Sequence, residues 1–209
     1  MAQNDIVELK KQGAANYANA ITLIEQRCKK RGDTLVLRDW AHLDYTGFPF
    51  VPTPGYSPLL YPELAESFDI IRISTTRSRY PVAEPDTTGR DTRTASSGVS
   101  GLDQFLIGYR KYAELCVETG FICYEDFLRK PELAMHKLCE HLQIKFDPGF
   151  INKWHDYKTI AGDINSPRSS DKIKMPPKRP VEPELRKKFL ANADYHRACE
   201  LLGYDPLEK

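Results

Sequence analysis

No stretch of the chain approaches the roughly 18 consecutive apolar residues that a membrane-spanning helix requires. The opening MAQNDIVELKKQG lacks the apolar core of a secretory signal. These two absences point to a soluble, cytoplasmic chain with no membrane partner. Charge of one sign is missing as well: Lys and Arg number 30 against 29 Asp and Glu, a formal net charge of +1. No global field therefore draws in nucleic acid or an anionic membrane, and any anion site has to be built from local clusters. Cysteine is sparse and unpatterned. Cys28, Cys116, Cys123, Cys139 and Cys199 are odd in number and none stands in C-x-x-C spacing, which fits reduced thiols in a reducing compartment better than a disulfide framework or a zinc site. No other metal-ligand spacing and no internal repeat is found. At 209 residues the chain suits a single domain, 1–209, with one core.

What is present reads as alternating helices and short apolar strands. Ala14, Tyr17, Ala18, Ile21, Ile24 and Cys28 recur at helical spacing, and the pattern stops at KKRGD, basic residues before a glycine, as helix C-termini prefer. A short strand, Leu35-Val36-Leu37, is expected next, running into Arg38, Asp39, Trp40 and His42. Proline-rich FPFVPTPGYSPLLYPE forbids regular pairing, and FDIIRIST, Phe68 to Thr75, is a second strand candidate ending just before Arg77. Residues 78–101 have no apolar period and are dense in Thr, Ser, Gly, Pro and Arg, the makeup of an irregular or disordered loop.

Order returns at Leu102, Phe105, Leu106, Tyr109, Tyr112, Ala113 and Cys116, one face of a helix, with Ser100 available to cap its start and Gly120 suited to its end. FICY reads as a buried strand, followed by Glu125 and Asp126. Pro131 opens another helix, with Ala134, Leu138 and Leu142 inward, and FDPGFINKW begins a further helical piece. A loop rich in Ser, Lys and Arg spans Thr159 to Pro183, and a last helix runs from Glu184 to Leu202 and stops at Gly203. This alternation implies an α/β sandwich with a mainly parallel sheet. In such sheets ligands sit beyond the carboxyl ends of the strands. Arg38, Asp39 and His42 follow the first strand, Arg77 the second, and Glu125 and Asp126 the third, so three strand ends could converge on one crevice. The carboxylates have a plainer use ahead of a helix, where they stabilise its positive end. His136, His141, His155 and His196 stand among charged residues and read as solvated; Trp40 and Trp154 read as packing residues.

LVLRDWAHLDY, FICYEDFLRKPELAMHKLCEHLQIKFDPGF and GDINSPRSSDKIKMPPKRP, in that order and spacing, together resemble the sulfotransferase family that uses 3′-phosphoadenylyl sulfate as donor. The resemblance covers most of the chain except residues 78–101. It implies a P-loop NTPase-like α/β sandwich and transfer of a sulfuryl group to an acceptor hydroxyl or amine on a small molecule or glycan, without a metal. Such chemistry rests on binding two phosphates and a sulfuryl, removing the acceptor's proton, and neutralising charge on the leaving oxygen. By resemblance, Arg77 is the arginine for the donor's 3′-phosphate, and Arg168 with Ser169, Ser170, Lys172 and Lys174 is the basic loop closing over the same group; an arginine fork holds phosphate oxygens bidentately. His42 is the candidate general base, since neutral imidazole accepts a proton near pH 7. Asp39 is its rival, and Arg38 either assists the sulfuryl or pairs with Asp39.

The chain departs from the family in two places. Members carry a strand and a Pro-Arg-Ser-Gly-Thr-Thr loop whose amides hold the 5′-phosphosulfate, and no such stretch stands in this sequence; without it the nest of backbone donors and the helix dipole are lost. The expectation is a truncated or degenerate member, with an N-terminal strand missing and an exposed sheet edge prone to self-association. After Arg77, the family's serine-bearing helix is replaced by YPVAEPDTTGR, whose prolines forbid it. Two other readings remain beside the enzyme: a non-catalytic nucleotide- or anion-binding remnant serving as an interaction module, and a small-molecule kinase, which would need a Lys-bearing phosphate loop and carboxylates for magnesium.

Overall fold

The computed structural model describes residues 17–39, 41–47, 51, 53–77, 99–153, 173 and 182–206, with the backbone alone for His42, Val99 and Ser100. Along the chain come α1 (Tyr17–Arg31), α2 (Ala41–Tyr45), α3 (Leu60–Ala65), β1 (Ser74–Thr76), α4 (Val99–Thr119), β2 (Phe121–Cys123), α5 (Tyr124–Arg129), α6 (Pro131–His141), α7 (Phe150–Lys153), α8 (Pro183–Leu190) and α9 (Ala193–Leu202). β1 and β2 pair in parallel, Ser74 opposite Phe121 and Thr76 opposite Cys123. Parallel neighbours cannot be joined by a hairpin and need a long crossover; α4 lies in it. The architecture is mixed: helices around a small two-stranded parallel sheet, compatible with the α/β class. Among the described residues no helix is long and apolar enough to cross a membrane.

The core forms where α9 and α8 lie against the apolar face of α4. Leu106, Phe189, Tyr195 and Cys199 make one buried cluster, with Phe189 edge-on to Tyr195 at 5.1 Å. Ala113, Cys116, Ala198 and Leu202 make the next, where small side chains let the helices approach. Complete burial of Phe189 is worth about 1.5–3 kcal/mol by area. Arg110 crosses the same interface to pair with Asp194 in the first turn of α9. On the other side α2 lies against α4 at Gly108, where an added Cβ would meet the Tyr45 carbonyl oxygen at 1.9 Å. Glycine is the residue that permits this approach.

Several elements differ from the sequence expectation. Leu35–Leu37 form no strand, and Val36 is 67% exposed; β propensity is expressed only where a neighbour supplies a ladder and burial, and among the described residues the sheet has only β1 and β2. The second strand is reduced to its last residues, because Arg72 leaves the ladder to stack on the Tyr61 ring at 3.8 Å and pair with Glu118 at 2.6 Å. β2 ends at Cys123, and Tyr124 already belongs to α5, whose first turn holds Glu125 and Asp126, acids favoured at that end. The final helix is two helices. Asn192 accepts the Tyr195 N–H at 3.1 Å and so starts α9 afresh, as a side chain that competes with the backbone does. Residues 99–101 belong to α4, so regular structure begins before Leu102 and Ser100 stands inside the helix rather than before it as a cap, while residues 78–98 lie outside the description. His141 and His196 are exposed, each with Nε2 2.8 Å from a carbonyl oxygen, of Arg72 and Leu190 respectively.

Candidate functional site

The parallel register decides which side chains meet at the carboxyl edge of the sheet. Thr76 is opposite Cys123, so the next residues, Arg77 and Tyr124, leave the two strands side by side. Arg77 lays its guanidinium over the Tyr124 ring, Cζ 4.7 Å from the centroid, a cation–π contact that orients the cation without neutralising it. Among the described residues no carboxylate pairs with Arg77. An unpaired guanidinium held at a strand end is disposed to take an anion, and its planar fork suits phosphate or sulfate oxygens.

The C-terminal end of α9 closes the other side of this edge. Gly203 adopts φ 68°, the Gly203 N–H reaches Glu200 O at 3.3 Å, and the Tyr204 N–H reaches Cys199 O at 2.9 Å. This left-handed turn reverses the chain and aims Tyr204 at the strand ends. Its hydroxyl donates to Glu125 Oε2 at 3.3 Å. Burial holds the Tyr204 phenol far above its ordinary value; the Thr76 hydroxyl opposes this, and Cys123 and the Glu125 carboxylate reinforce it. Burial likewise pushes the Cys123 thiol up. Asp126 is exposed and forms an i,i+3 pair with Arg129 at 3.6 Å.

Tyr112 of α4 ties the sheet to α2. Its hydroxyl donates to Thr75 O at 2.8 Å, and its ring lies 5.5 Å from Tyr45, edge-on. Below it Ser74 and Thr119 share a buried hydroxyl–hydroxyl bond at 2.9 Å. On α2, the buried Asp44 accepts the Leu59 N–H on its side chain at 3.1 Å and the Tyr56 N–H on its carbonyl at 3.0 Å. These bonds fold the proline-rich segment back onto α2, with Tyr56 held at φ 55°.

Of the residues singled out in the sequence, Arg77 stands directly after β1 and Glu125 directly after Tyr124, so two of the three expected strand ends meet. Arg38 and Asp39 are exposed on the connection from α1 to α2, and His42 lies in α2 with its backbone described. They follow no strand, so the third strand end is not formed by Leu35–Leu37. Arg168, Ser169, Ser170, Lys172 and Lys174 lie outside the described residues. Sequence reasoning passed over Tyr204, Tyr124 as a ring partner, and Asp44. The signal for Tyr204 was LLGY at the end of an amphipathic helix, where Gly followed by an apolar ring marks a turn that folds back on the core. Among the described residues no group of three or more His, Cys, Asp or Glu is arranged to hold a metal ion. No protein-family model, curated protein or solved structure matches this chain.

Proposed function

We propose that the chain is a sulfotransferase-family protein of the P-loop-like α/β sandwich type, acting in the cytoplasm. Its strand-end crevice takes the 3′-phosphate of 3′-phosphoadenylyl sulfate. The reading rests on the order and spacing of the three sequence stretches given above. The structural observation that carries it is Arg77, stacked on Tyr124 at the carboxyl edge of a parallel pair with no carboxylate partner among the described residues. In the reaction, the bond from sulfur to the donor's phosphate oxygen breaks, leaving its electrons on that oxygen, as sulfur bonds to the oxygen of an acceptor hydroxyl or the nitrogen of an acceptor amine. His42 takes the acceptor's proton, with Asp39 the alternative base, and Arg38 assists the sulfuryl. Arg77 and the loop of Arg168, Ser169, Ser170 and Lys172 hold the 3′-phosphate. No metal takes part. The aromatic segment around Tyr56, held against α2 by Asp44, is the candidate wall for a small-molecule or glycan acceptor.

A second reading is favoured by one specific observation: the sequence contains no Pro-Arg-Ser-Gly-Thr-Thr loop for the 5′-phosphosulfate. A chain with only the 3′-phosphate half of the site is a nucleotide-binding module without turnover. Both readings require binding of adenosine 3′,5′-bisphosphate, and titration calorimetry tests it. Loss of a charge-assisted contact of about 1.5–3 kcal/mol corresponds to roughly 10- to 100-fold, so Arg77→Ala and Arg168→Ala should each weaken binding by about that factor. Absence of heat at millimolar nucleotide, or an affinity indifferent to both substitutions, contradicts the proposal. Sulfuryl transfer to acceptor by the intact chain then separates enzyme from module.

A further inference from the structure

We infer that residues 53–59 act as a strap over α2 that opens and closes as one unit, with Asp44 as its latch. The motion follows from the geometry of the chain itself; what enters when the strap opens rests on the acceptor reading given above. Exposure alternates along the segment: Thr53, Gly55, Ser57 and Leu59 are exposed, Tyr56 and Pro58 half-buried, and of these residues only Pro54 is buried. Pro54 rests on the turn that ends α2, where a Cβ added to Gly47 would stand 3.2 Å from Pro54 Cδ. The Leu59 side chain is 68% exposed. With so little apolar surface covered, main-chain hydrogen bonds carry much of the attachment, and two of them end on one residue. The Tyr56 N–H meets the Asp44 carbonyl at 3.0 Å, and the Leu59 N–H meets Asp44 Oδ2 at 3.1 Å.

The latch belongs to the body of the protein and the strap does not. Asp44 is buried in α2, which lies against α4 through the close approach of Tyr45 to Gly108 and the Tyr45–Tyr112 ring pair. Beyond Leu59 the chain is anchored again in α3, where Leu64 is buried and the Arg72 guanidinium covers the Tyr61 ring at 3.8 Å. Between these anchors Tyr56 is held at φ 55°, a left-handed conformation that bulky L side chains avoid. The closed strap therefore sets its two bonds to Asp44 against a strained residue and the lost freedom of an exposed segment. A segment balanced in this way opens at a free energy below that of global unfolding. In the acceptor reading, opening admits an acceptor beside α2, the helix that carries His42, and closing holds it there.

Amide hydrogen exchange on the full chain, without nucleotide or acceptor, tests the inference. The Tyr56 and Leu59 amides should exchange at least about 10-fold faster than those of Leu106 and Ala113 in α4, after correction for intrinsic rates. Their exchange should stay level at low urea, because opening exposes little surface. Asp44→Ala removes the carboxylate but leaves the main-chain carbonyl that Tyr56 uses. Leu59 exchange should then rise roughly 10- to 100-fold, as expected for loss of a charge-assisted bond of about 1.5–3 kcal/mol. Tyr56 exchange should rise by the same factor, because the two amides open together. A rise at Leu59 alone reports one lost bond without a moving unit and overturns the inference, as does unchanged exchange at both positions. Strap amides that exchange only together with the α4 amides as urea is raised overturn it too, and this measurement on the unaltered chain decides the matter even where Asp44→Ala does not fold. Failure of nucleotide binding in calorimetry defeats the proposed function and leaves the strap to be decided by exchange.

Discussion

Replacing Gly108 with alanine should destabilise the protein, although the same change in an ordinary helix interior stabilises by about 1 kcal/mol through backbone entropy. The reversal comes from α2. A Cβ at position 108 would stand 1.9 Å from the Tyr45 oxygen, 2.7 Å from the Tyr45 carbonyl carbon and 3.3 Å from the Thr46 nitrogen. All three are backbone atoms, so no rotamer change relieves the clash, and α2 must retreat by about 1 Å to reach even a tight contact. Retreat withdraws Tyr45, 3% exposed, from its pocket and from the Tyr112 ring 5.5 Å away. Losing that burial and the ring pair costs about 2–4 kcal/mol, and the helix gain offsets about 1 of it. The expected net loss is about 1–3 kcal/mol, or a Tm lower by about 2–12 °C for a chain of this size. Urea unfolding with tyrosine fluorescence and scanning calorimetry both report it. A Gly108→Ala protein as stable as the original, or more so, would refute the docking of α2 on α4.

Two further outcomes follow from the core. Phe189→Ala empties a fully buried site between α4 and α9 and should lower the unfolding free energy by about 3–5 kcal/mol; a loss below about 1 kcal/mol in denaturant unfolding would place Phe189 outside the core. Stability should also fall in alkali: burial pushes the Cys116 thiol from 9.0 to about 11 and the Tyr45 phenol from 10.0 to about 12. The unfolded chain loses these protons first and binds fewer of them. Stability is therefore full below about pH 9 and declines between about pH 9 and 12, each group contributing on the order of 2–3 kcal/mol. A flat profile across that interval in denaturant unfolding would contradict the burial of these side chains.

The helical part of the fold was legible because its signals are local. The apolar face of α4 runs through Leu106, Ala113 and Cys116, all fully buried; Pro131 starts α6, and Gly120 and Gly203 take φ 74° and 68° after their helices. The strands were less legible, since three-residue pairing depends on a partner that the segment itself does not encode. Leu35–Leu37 has the composition of a strand and none of its neighbours, and FICY gives up its tyrosine to the acids that follow it. Asn192 divided a continuous apolar period because one side-chain oxygen can restart a helix wherever it meets a free N–H. In the site, Arg77 was visible as the cation after a strand. Its contact with Tyr124, and the reach of Tyr204 to Glu125, join residues distant in sequence through a register and a turn, and neither has a pattern in the residues alone.

The most direct test of the account follows backbone amide resonances during titration with adenosine 3′,5′-bisphosphate, with adenosine 5′-monophosphate as the comparison. The expected result is displacement of Thr76, Arg77 and Tyr124 by the bisphosphate and little response to the monophosphate, which lacks the group assigned to Arg77. Displacements of equal size with both nucleotides, or confined to the basic end of α1 at Lys29, Lys30 and Arg31, would contradict a 3′-phosphate site at the strand ends.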